Sequence, residues 1–189
     1  MPMNNHLKAS YSLLTLVLLV AAYFLIPSAG AYAQTTAADS EKVTKLFSEA
    51  KDEAHELELD AEHMEEFTRS GLTWESHSWK INEVREHVTE CGRLLAKLHD
   101  AREKASPWQQ KAIDEIEPLL KELATNTQSA IDHVTSNKNR VSLRAADYEG
   151  YLAANYAVAR KLAALITDYV DYGEHKAEFE RLGEKLGAA

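Results

Sequence analysis

The sequence predicts an all-α protein: an antiparallel up-down-up-down four-helix bundle preceded by an N-terminal signal peptide. Three observations carry that reading. Apolar residues recur at alternating steps of three and four, which places them on one stripe of a helix. Cap and turn residues separate the runs. No segment shows the every-second-residue alternation of a half-buried strand.

The start of the chain comes first. Residues 13–26 form an apolar block after a weakly basic opening (His6, Lys8). Pro27 and the small-x-small sequence Ala31, Tyr32, Ala33 follow it. This is the pattern of an export signal, residues 1–33, with cleavage between Ala33 and Gln34. It implies an exported protein, periplasmic or secreted. Left uncleaved, residues 13–33 are long enough to cross a bilayer and would serve as an N-terminal anchor. Residues 34–38 then read as a polar leader, and residues 39–189 as the bundle.

The first helix is expected over residues 39–69. Its stripe is Val43, Phe47, Ala50, Ala54, Leu57, Ala61, Met64 and Thr68. Asp39 or Ser40 suits the cap, and Gly71 suits a left-handed turn after the helix. The second helix, 74–105, follows the cap Thr73 with Trp74, His77, Ile81, Val84, Val88, Cys91, Leu95 and Leu98. Ser106, Pro107 and Gln109 then form a capping box with proline at the first helical position. The third helix, 107–136, runs through Ile116, Leu123, Ile131 and Val134, and Pro118 predicts a bend within it. Residues 137–139 read as a turn. The fourth helix, 144–172, carries Tyr148, Leu152, Asn155, Ala159, Leu162, Ile166 and Tyr169. Gly173 weakens it, with an amphipathic extension over 174–186 through Phe179, Leu182 and Leu186. Short connections between consecutive helices force neighbours to run antiparallel.

Charge and cysteine usage bound the function. The chain of 189 residues has 21 basic and 30 acidic side chains, a net charge of −9. Removing residues 1–33, which hold one Lys and no acidic residue, takes the charge to −10. That balance argues against nucleic acid and against anionic lipid surfaces as partners. With Cys91 as its one cysteine, the chain has no internal disulfide, and Cys91 reads as a small buried hydrophobe.

Cofactor-bearing bundles are excluded by their own requirements. One cysteine cannot make the Cys-x-x-Cys-His haem tether. No Glu stands three residues before a His, as a ferritin-like di-iron site needs. Met64 and His175 fall at opposite ends of antiparallel helices, against the axial pair of a cytochrome b562-like bundle. Phosphate loops and the zinc-protease and serine-hydrolase signatures do not occur. No enzyme activity and no resident cofactor are expected.

Three features remain as candidates. The first helix carries an acidic run from Asp52 to Glu66, without an intervening Lys or Arg. Like charges four residues apart oppose each other there, and solvent screening, a divalent cation or a basic partner would relieve them. Threading the bundle brings His63, His77 and His133 to one end. A divalent or transition metal is the alternative use of that end; the simpler reading makes His77 a core histidine bonded to Tyr148, Tyr151 or Asn155. Finally, Trp79 and Tyr156 project off their stripes, as aromatic anchors of a partner or self-association surface do. The leading expectation is an exported, non-enzymatic bundle that works by protein–protein contact, as an adaptor, scaffold or holdase-like binder.

Overall fold

The computed structural model describes residues 38–136, 138 and 142–187. The signal peptide, the leader up to residue 37 and four positions of the 137–141 connection lie outside the described residues. Everything described is helical apart from short connections, with four long helices: α1 (Glu41–Phe67), α2 (Trp74–Ala101), α3 (Pro107–Ser136) and α4 (Ala146–Gly187). Single 3-10 turns follow α2 (Arg102–Lys104) and precede α4 (Ser142–Arg144). None of these helices is long and apolar enough to cross a membrane.

Each helix packs chiefly against two neighbours: α1 against α2 and α4, and α3 against the same two. Cross-helix bonds give the directions. Lys51 meets Asp171 and Glu62 meets Tyr156, so α1 and α4 run antiparallel. Glu53 with His87 and Asp60 with Lys80 give the same sense for α1 and α2. Arg102 with Asp114, and Thr127 with Asn155, extend it to the remaining pairs.

The stripes supply one continuous core. Val43, Phe47, Leu57, Met64, Ile81, Val84, Leu98, Ile113, Leu123, Leu152 and Leu162 are all essentially withdrawn from water. Burying each large side chain of this kind contributes about 1.5–3 kcal/mol. On α2 the stripe passes through Leu94, with Leu95 half-buried beside it. Cys91 is buried, and burial pushes its thiol up to about 12, which leaves it inert.

Several local expectations are corrected. No described glycine or other residue has a left-handed backbone, so Gly71 does not end α1 in the expected way. The helix instead tightens: Thr68, Arg69 and Ser70 N–H groups bond the carbonyls of Glu65, Glu66 and Phe67. The hydroxyls of Thr68 and Ser70 donate to the Glu65 and Phe67 carbonyls, so the loose ends are met without a φ reversal. Ser40 occupies the N-cap of α1 but makes no side-chain cap bond. Thr73 does cap α2, accepting from the Ser76 N–H at 3.4 Å.

Half of the α3 capping box forms: the Gln109 side chain reaches back to the Ser106 N–H, with no return bond from the Ser106 hydroxyl to Gln109. That half reaches further than one helix. Gln109 Oε1 accepts from Ser106 N at 3.0 Å, and from Ser40 N at 3.0 Å. Its Nε2 donates to the Ser40 carbonyl and to Thr44 Oγ1. One fully buried amide therefore closes the starts of α1 and α3 together. Pro118 lies on the partly exposed side of α3, which continues unbroken through it.

Helix α4 runs through Gly173 without a break. A Cβ placed there would lie 2.9 Å from Trp108 Cη2, so the glycine is where α4 admits an indole. Trp108 packs against Phe47, Tyr169 and Tyr172, and its Nε1 donates to Asp39 at 2.7 Å. Beyond Gly173, the helix runs on to Gly187 with nearly every side chain exposed.

Candidate functional site

At one end of the bundle, the end of α1, the start of α2, the end of α3 and the start of α4 converge. Tyr148 is the centre of that level and is fully buried. His77, 1% exposed, bonds the Tyr148 hydroxyl through Nδ1 at 3.1 Å. Phe67 meets His77 edge-on at 5.9 Å, and His133 stacks on Tyr148 at 5.0 Å. Burial lowers the His77 pKa and raises that of Tyr148, so at neutral pH a neutral imidazole faces a neutral phenol. The bonded pair satisfies what would otherwise be costly buried polar atoms.

Of the three histidines threaded to this end, His77 and His133 both meet Tyr148. His63 stays exposed on α1. Among the described residues, no group of three or more His, Cys, Asp or Glu side chains is arranged to hold a metal ion.

Just outside this level, Trp79 stands in solvent with 65% of its surface exposed. It borders a shallow groove of about 400 Å³ with Phe67, Leu72, Glu75 and Ser76. The ring sits there because α2 needs positions 77, 81 and 84 for the core, which turns position 79 outward. Tyr156 is placed differently. It is half-buried against the core, and its hydroxyl donates to Glu62 Oε1 at 3.2 Å.

Part of the acidic run of α1 is partnered by α2. Lys80 reaches Asp60 at 2.7 Å and Glu83 at 2.8 Å. His87 bridges Glu53 at 2.6 Å and Asp60 at 3.4 Å. Burial works against the Lys80 charge, but bonds to Asp60 and Glu83 outweigh it and raise its pKa. These two α2 residues went unnoticed in the sequence. The available signal was position: Lys80 and His87 flank the α2 stripe on the side where an antiparallel α1 presents Asp60 and Glu53.

At the opposite end, Asp39 accepts from Trp108 and from Lys176, the latter at 3.0 Å. Burial opposes its ionisation, but bonds from Ser106, Lys176 and Trp108 hold its carboxyl below the ordinary range.

Comparison with known proteins finds no matching family model, no similar curated protein and no similar solved structure.

Proposed function

We propose that this is a non-enzymatic helical-bundle protein of an exported compartment that acts by binding another protein through the Trp79 end. The observation that carries this reading is an indole two-thirds exposed beside Phe67 and Leu72 in an open groove. Tryptophan anchors are enriched where one protein seats on another, and their removal costs binding far more than folding. A second support comes from the titratable side chains. Those with shifted acidity serve structural partners: Lys80 holds Asp60 and Glu83, Asp39 holds Trp108 and Lys176, and His77 holds Tyr148. The export pattern of residues 1–33 supplies the compartment.

Replacement Trp79→Ala tests it. Capture of the partner in pull-downs from the envelope or secreted fraction should fall at least about tenfold, as for a hot spot of about 1.4 kcal/mol. The melting temperature should stay nearly unchanged, because the ring is not part of the core. Undiminished capture would remove this surface from consideration.

A further inference from the structure

The last fourteen described residues of α4, 174–187, project past the other three helices, about 21 Å at 1.5 Å per residue. They carry an apolar stripe that no other described residue covers. Phe179 is 78% exposed, Leu182 44% and Leu186 79%. Together with Tyr172 and His175 these residues repeat at steps of three, four, three and four, the seam of a two-stranded coiled coil. A helical stretch of this length is marginal alone in water, so the seam calls for a partner helix.

We propose that this partner is the same extension of a second copy, paired antiparallel about its midpoint. Two features single out that occupant. In the register that sets Phe179 opposite the partner's Leu182, His175 falls opposite the partner's Leu186, so the four layers from 175 to 186 are filled. The same register brings Glu178 beside the partner's Lys185, and Lys185 beside the partner's Glu178. Flanking positions of an antiparallel pair thus carry opposite charges twice over.

The surface chemistry agrees. Lys185 forms no ion pair among the described residues, and Glu178 has only an exposed contact with Arg181 at 3.7 Å. Four Glu against Lys176, Arg181 and Lys185 give the extension no basic face to hold anionic lipid. The contact is isologous, each copy offering the same patch, and closes as a dimer. Its small size places association in the micromolar range. This inference shares with the functional reading only the idea of protein contact. It uses the opposite end of the molecule and does not involve Trp79.

Sedimentation of the purified protein across the micromolar range tests it, with circular dichroism to verify folding. The unaltered chain should form a reversible dimer. Lys185→Glu sets a second carboxylate beside Glu178 at both ends of the interface, and that repulsion should weaken the dimer about tenfold. The exchange E178K/K185E should restore it, whereas Trp79→Ala should leave the dimer untouched and lower only partner capture. A dimer indifferent to Lys185→Glu would overturn the antiparallel register. A chain that remains monomeric would overturn the proposal outright. If the monomer's extension were protected from hydrogen exchange, the stripe would be assigned to another segment of the same chain. Binding of the monomer to phosphatidylcholine vesicles would assign it to a membrane.

Discussion

His77 shows how one side chain can couple this protein to pH. Its imidazole is withdrawn from water and faces Tyr148, so its folded pKa lies below the ordinary histidine value. The unfolded chain therefore binds a proton more readily than the folded one in the interval just below about 6.5. The stability linked to this group is present in full above that value and declines as pH falls through it. Chemical denaturation at about pH 7.5 and about pH 5, on either side of the ordinary histidine range, should show the loss. His77→Phe should flatten that component of the profile. A profile unaltered by the substitution would mean that His77 charges without penalty. That His77 would be a bonded core residue was legible from its seam position. The stacking of His133 on Tyr148 was not, because it depends on how far each helix is rotated, and spacing alone leaves that open.

At the scale of the element, α4 contrasts two glycines that a sequence presents as equals. Gly173 lies under the Trp108 indole, while a Cβ at Gly183 would meet nothing within 4 Å. Gly173→Ala must displace a ring packed between α1 and α4, and overpacking of this kind costs about 1–3 kcal/mol. Gly183→Ala should instead stabilise the helix by up to about 1 kcal/mol, the difference in helix propensity. Thermal unfolding of both variants measures this, and shifts of the same sign would contradict the close approach at Gly173. This contact at Gly173 was not legible in the sequence. Propensity reads glycine as a weak point, whereas here it answers a demand from Trp108, 65 residues earlier in the chain. Start signals were more readable. Thr73 and the Gln109 half of the Ser106–Gln109 box act locally, and both appear in the structure.

For the molecule as a whole, polar specificity sits at two ends with an apolar rod between them. The Tyr148 level and the Gln109 level are separated by most of the length of α1, roughly 40 Å for 27 residues. Tyr148→Phe deprives a buried imidazole of its partner, and Gln109→Ala leaves the Ser40 and Ser106 amides without an acceptor; each should cost about 1–3 kcal/mol. Because the two sites share no neighbours, the double variant should lose the sum to within about 0.5 kcal/mol in denaturant titration. A large departure would reveal that the ends communicate through the core. The order of helices and their stripes could be read from the chain because each is a local periodic signal. The polar lattice of Glu53, Asp60, Lys80 and His87 could not, since its members belong to two helices and acquire meaning only once α1 and α2 lie side by side.

Gln109 also has a bearing on how the polypeptide emerges from the ribosome. The amide that completes the first turn of α1 belongs to a residue 69 positions downstream of Ser40. At about 5–20 residues per second, it is synthesised roughly 3–14 s later. For that interval the opening N–H of α1 has water as its acceptor. The oldest helix of the nascent chain therefore waits for one of the younger ones to finish its beginning.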